Sequence, residues 1–89
     1  MTRSIQPPQF RLDGRVAFVT GAGGGIGRCI VEALVASGAL VGCGDIPGNR
    51  GIHEVVSDVG EDRAVAIEVD VSSPESLAKA IEAVEGRFG

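Results

Sequence analysis

Near the start of the chain, Thr20-Gly21-Ala22-Gly23-Gly24-Gly25-Ile26-Gly27 separates a short apolar run from a longer amphipathic stretch. The chemistry of such a segment belongs to its backbone. A glycine loop that opens into a helix presents unpaired amide N–H groups at the positive end of the helix dipole, which is a binding site for phosphate. The dipole contributes about 0.3–1 kcal/mol to such binding, beyond the direct hydrogen bonds. Two carboxylates, Asp45 and Asp70, close later apolar runs and are candidates for accepting hydrogen bonds from a ligand. Glu61, Asp62, Glu82 and Glu85 read as solvated side chains, because they lack the paired geometry and the pocket that acid/base catalysis requires.

Spacing decides which nucleotide class the loop suits. A P-loop has G-x-x-x-x-G-K-[ST]. Counting from Gly21 puts Ile26 at its second glycine, counting from Gly23 puts Arg28 there, and no Lys-Ser/Thr pair follows. The common dinucleotide pattern G-x-G-x-x-G would need glycine at Ile26. The spacing that fits is G-x-x-x-G-x-G, on Gly21, Gly25 and Gly27. With Thr20 in front, it resembles the T-G-x-x-x-G-[IL]-G motif of the short-chain dehydrogenase/reductase family. Phe10-x-Leu12-x-Gly14-Arg15-Val16-Ala17-Phe18-Val19 also looks like that family's approach to its first strand. The resemblance runs over residues 10–89.

The resemblance implies a dinucleotide-binding site on Gly21, Gly24, Gly25, Ile26 and Gly27, with Asp45 on the adenosine ribose and Asp70 and Val71 holding the adenine. An acid at the end of the second strand accepts from the ribose hydroxyls and repels a 2′-phosphate, which implies NAD rather than NADP. The loop from Gly21 to Gly27 has no Arg or Lys, in agreement, although Arg50 lies within reach of a 2′-phosphate. Two structural readings stay open: Asp45 as the cap of a turn before Pro47, and Asp70 as the end of a strand before a serine-capped helix. The family's chemistry uses a serine, a tyrosine and a lysine. The chain has no Tyr, so Y-x-x-x-K is absent, as is the Asn-Asn-Ala-Gly segment. Lys79 is the single lysine, and Ser72, Ser73 and Ser76 read as helix-start residues, so no catalytic residue is assigned.

The elements that must position these groups alternate. Val16 to Thr20 suits a strand buried on both faces. A helix follows, ending near Ser37, with Ile26, Ile30 and Leu34 at four-residue spacing, Val31 and Val35 beside them, and Gly38 as its stop. Ala39 to Gly44 forms a second strand ending at Asp45, and Pro47-Gly48 turns the chain. A weaker helix, from about Asn49 to Val59, has Ile52, Val55, Val56 and Val59 on one face. A turn over Gly60 to Arg63 leads to a third strand, Ala64 to Val71, with Val65, Ile67, Val69 and Val71 alternating. The last helix starts either with Ser72 capping and Glu75 as its box partner or with Ser73 capping and Pro74 at the first position. Leu77, Ile81, Val84 and Phe88 mark its face. Such alternation predicts α/β architecture: half of a Rossmann-type doubly wound parallel sheet, strand order 3-2-1 with crossover helices.

At 89 residues the chain makes one domain at most, burying roughly 60–65% of its unfolded surface. The expected organisation is a flexible lead over 1–11 and a truncated NAD-binding Rossmann domain over 12–89. A net charge of -4 with interspersed signs excludes a nucleic-acid footprint. One histidine and two distant cysteines leave a zinc site without ligands, and Cys29 and Cys43 read as buried reduced thiols of a cytoplasmic protein. Neither a secretory signal nor an apolar run of membrane-spanning length is expected. The first strand should present an unpaired edge, an invitation to self-association, with a marginally stable product. The leading expectation is the NAD-binding N-terminal part of an alcohol/ketone oxidoreductase, inactive as this chain alone. The alternatives are a non-catalytic dinucleotide-binding or regulatory module, and an interaction protein that uses the open edge.

Overall fold

Apolar runs and amphipathic stretches alternate in the chain, and the computed structural model, which describes residues 11–89, turns them into a parallel sheet with helices on both sides. The expected flexible lead over 1–11 lies almost entirely outside the described residues. In chain order the elements are β1 (Val16–Thr20), α1 (Gly25–Ala36), β2 (Leu40–Asp45), α2 (Gly51–Val59), β3 (Ala64–Glu68) and α3 (Pro74–Phe88). The sheet order is β1-β2-β3, the expected 3-2-1 read from its other edge. Both pairings are parallel, running from Val16↔Leu40 to Thr20↔Gly44 and from Val41↔Ala64 to Asp45↔Glu68. All three strands therefore end on one rim, and the loops that follow them meet there.

The two faces of β2 differ. Val41 and Cys43 point into a core with Val31 of α1, with Ile52, Val55 and Val56 of α2, and with Ala64 of β3. Alternation puts Gly42 and Gly44 on the opposite face. Their missing side chains leave room for α3 and Phe18: a methyl group on Gly42 would collide with Val84, and one on Gly44 would sit 2.8 Å from the Phe18 ring. α3 and the Phe18 ring can therefore lie close to the central strand. Burial pushes the Cys43 thiol up to about 11.

α2 buries the face expected of it. The α1 face is rotated from expectation: Gly27 and Val31 are buried, Leu34 and Val35 pack against the core, and Ile26 and Ile30 are 82% and 46% exposed. The cause is Gly27, whose bare Cα must face the loop for the helix to dock. On α3, Ala80 and Val84 are buried while Ile81 is half-exposed beside Val16, Ala17 and Phe18 of β1. β1 is half-buried rather than buried on both faces, with Val16 39% exposed, because β2 is its one partner among the described residues. β3 ends at Glu68 rather than Val71: Val69 is buried beyond it, but Asp70 bonds to the start of α3 and leaves Val71 exposed. Ser73, not Ser72, caps α3, accepting from the Ser76 N–H with Pro74 in the first turn. Cys29 is exposed on α1, contrary to expectation, because it lies on the outer side of the rotated helix.

Two outcomes follow from this packing. An aromatic disulfide reagent should modify Cys29 alone in the folded chain and reach Cys43 only after urea unfolding; rapid labelling of both would contradict the packing around Cys43. Gly42→Val should lower stability by about 1–3 kcal/mol through overpacking against Val84 and Phe18, seen as a lower urea midpoint.

Candidate dinucleotide site

The glycine loop begins where β1 ends. Gly21 has φ +70, a left-handed conformation that side chains rarely adopt, and it reverses the chain within one residue. The Ala22 N–H donates to the Gly44 carbonyl at 2.9 Å, and the Gly24 N–H to Gly21 at 3.1 Å, so the loop is tied both to β2 and to itself. α1 then starts on Gly25. Its first internal bond of this type runs from the Arg28 N–H to the Gly24 carbonyl at 2.8 Å, which leaves the amides of Gly25, Ile26 and Gly27 without helical acceptors. No side chain caps them, whereas the N-terminus of α3 is capped by Ser73.

The motif's three glycines have separate duties. Gly21 makes the turn. At Gly27 a methyl group would collide with the Gly21 carbonyl, so glycine there lets α1 close on the loop. At Gly25 a methyl group would meet nothing within 4 Å: the space over its amide is open. Gly24 is likewise exposed on the rim. Amides in such a cradle can receive an anionic, acceptor-rich group. Ile26 lies at the same helix start with its side chain exposed.

Asp45 ends β2 beside this loop. Its Oδ2 accepts from the Gly23 N–H at 3.0 Å and its Oδ1 from the Ile46 N–H at 2.8 Å. A carboxylate has about four lone-pair sites, so both oxygens keep capacity for a ligand's hydroxyls. Pro47-Gly48 forms the turn predicted for it, closed by the Asn49 N–H on the Ile46 carbonyl at 3.1 Å, with Gly48 at φ +88. Glu68 braces the turn from β3 by accepting from the Gly48 N–H at 3.2 Å. Arg50 is exposed and forms no ion pair among the described residues; Arg28, on α1, instead pairs with Glu32 and Asp58.

Asp70 follows Val69, whose N–H bonds to the Asp45 carbonyl at 2.8 Å, so both carboxylates occupy the same rim. The Ser72 hydroxyl donates to Asp70 Oδ1 at 2.6 Å and the Ser72 N–H to the same oxygen at 3.0 Å. These two bonds, the hydroxyl's first, hold the Asp70 carboxyl below the usual carboxylate range. Asp70 therefore does the structural work of a turn before a capped helix and still keeps Oδ2 free of partners among the described residues. Val71 is exposed next to it. The rim thus gathers every candidate residue read from the sequence. Sequence reasoning passed over the Gly23 amide, the exposed Ile46 and Asn49, whose carboxamide packs on Gly23. Pro47-Gly48 marked their turn, but nothing local showed what that turn touches.

Comparison with known proteins gives the arrangement a family. The family model for short chain dehydrogenase matches residues 15–89. A versicolorin reductase of Aspergillus parasiticus is 43% identical over 82 residues, covering 89% of this chain and 31% of its own length. A D-threitol dehydrogenase of Mycolicibacterium smegmatis is 38% identical over 82 residues, with 90% and 31% coverage. The chain thus spans about a third of the length of these relatives. Among solved structures, a 3-ketoacyl-(acyl-carrier-protein) reductase from Brucella melitensis complexed with NADH superposes with a TM-score of 0.80 at 35% identity, covering 88% of this chain and 31% of that one. A short chain dehydrogenase/reductase from Burkholderia phymatum in complex with NAD gives 0.81 at 26% identity, with 91% and 29% coverage. With a match of that extent, carried on the same strand, glycine loop and helix, the chain belongs to the short-chain dehydrogenase family.

Proposed function

We propose that this chain is the nucleotide-binding N-terminal part of an alcohol/ketone oxidoreductase, and that it holds NAD in preference to NADP. The observation that carries the reading is the bond from the Gly23 N–H to Asp45, which fixes a carboxylate beside the uncapped start of α1. A dinucleotide needs both at once: bare amides for its diphosphate and an acceptor for its ribose hydroxyls. The Brucella and Burkholderia relatives, complexed with NADH and NAD, support the cofactor class.

In this reading the amides of Gly25, Ile26 and Gly27 receive the diphosphate, and the open space at Gly25 lets it approach the backbone. Asp45 accepts from the ribose and disfavours a 2′-phosphate by charge. Ser72 orients the Asp70 carboxylate by donating twice to Oδ1, and the other oxygen accepts from the adenine amine. Val71 and Ile46, both exposed and apolar, supply surface for the ring. The bound cofactor supplies hydride transfer to or from a carbinol carbon; the residues described here bind and orient it.

Isothermal titration with NAD and NADP tests this. NAD should bind and NADP should bind more weakly; heat from neither would overturn the reading. Asp45→Ala should weaken NAD by about tenfold or more, the effect of losing charge-assisted hydrogen bonds, and should narrow the NAD/NADP ratio; an unchanged ratio would remove Asp45 from the ribose. Gly25→Val should abolish NAD binding with the circular dichroism spectrum preserved, because its side chain enters the cradle and no protein atom.

A further inference from the structure

The loop between β2 and α2 is locked onto the glycine loop through three residues. Asn49 places its carboxamide against the bare Cα of Gly23, in the space a side chain there would occupy. Its Oδ1 accepts from the Gly51 N–H at 2.7 Å, which fixes the orientation of the carboxamide. Gly51 in turn sets its own bare Cα against the Gly23 backbone, where a methyl group would collide with the Gly23 carbonyl. Gly23 is thus held between Asn49 and Gly51 on one side, and its N–H holds Asp45 on the other. Gly23 lies outside the G-x-x-x-G-x-G spacing, and its φ is not in the positive region, so its backbone alone would admit alanine. What excludes a side chain there is Asn49.

Building on the NAD-binding reading above, we propose that Asn49 is a specificity-determining positioning residue, which clamps the Gly23 amide so that Asp45 stands at the ribose and discriminates against a 2′-phosphate. The carboxamide acts through Gly23 and not on the nucleotide. When the clamp is released the β2–α2 loop moves off the glycine loop, the Gly23–Asp45 bond is no longer held, and the carboxylate faces the ribose less well. Discrimination therefore falls further than the overall fold weakens.

The test is a double-mutant cycle on the full 89-residue chain with Gly23→Ala, Asn49→Ala and their combination, each measured for thermal midpoint and for NAD and NADP affinity. Gly23→Ala should lower the midpoint by roughly 5 °C or more through overpacking. The added Asn49→Ala should restore most of that loss, because it vacates the space the methyl group needs. Asn49→Ala alone should reduce the NAD/NADP affinity ratio by about tenfold, the scale of a charge-assisted hydrogen bond, while lowering the midpoint by less than Gly23→Ala does, since it loses the bond from the Gly51 N–H without a clash. Additive midpoint losses in the double variant would overturn the clamp. An unchanged ratio in Asn49→Ala would overturn its role in specificity, and this measurement decides even if Gly23→Ala fails to fold. If the parent binds neither nucleotide, the NAD reading and the specificity role fall together, and the midpoint cycle still decides whether Asn49 and Gly23 interlock.

Discussion

The approach of α1 to the loop that precedes it, at Gly27 against the Gly21 carbonyl, is the contact on which the site depends. A side chain at Gly27 would push the helix outward and tilt its first turn. Because the contact is closed, the rotation of α1 about its axis is fixed: Val31 enters the core, Ile26 and Ile30 turn out, and the three free amides face the rim instead of the sheet. Phosphate binding at a helix start is mostly a matter of aim. Here the aim is set by the absence of one methyl group.

A second asymmetry supports the first. The valine and cysteine face of β2 gives α1 and α2 a dense apolar bed, while the glycine face lets α3 and Phe18 lie close to the strand. Close packing on both sides holds β2 rigid up to Asp45, and rigidity there is needed because the carboxylate hangs from the strand's last residue. β1 has no such enclosure among the described residues. It pairs on one side, and Val16, Ile26, Ile30 and Ile81 are exposed. These exposed apolar residues thus lie away from the enclosed strand that carries the acid.

Much of this was legible in the chain itself. Short apolar runs separated by glycines and by helical spacing determine a parallel α/β order almost by elimination, and the glycine spacing told a dinucleotide loop from a P-loop. Helix orientation was not legible. Hydrophobic spacing favoured Ile26, Ile30 and Leu34, and gave no weight to a glycine whose contribution is the contact it permits. Likewise Ile81 fitted the apolar period of α3 better than Ala80, but Ala80 is the one that is buried. The two capping choices for α3 were equivalent by composition; the competing bond from Ser72 to Asp70 separates them. Asn49 read only as the start of the weaker helix, because its partner, Gly23, is remote in sequence. Each miss concerns a contact between segments, which periodicity within one segment does not encode.

Two carboxylates on the rim proposed to receive a diphosphate present an electrostatic problem, and the fold meets it locally. Each acid is held by N–H or O–H donors: Asp45 by the amides of Gly23 and Ile46, Asp70 by the amide and hydroxyl of Ser72. Donors of this kind offset part of a carboxylate's field. They also orient the remaining lone pairs, so that the acids can accept from hydroxyl or amine donors while the uncapped amides of α1 stay available to an anion. Repulsion between like charges at a solvent-exposed rim is modest, because water screens it. Under the proposed reading, the charge of Asp45 would weigh against the one of two dinucleotides that adds a phosphate at the ribose.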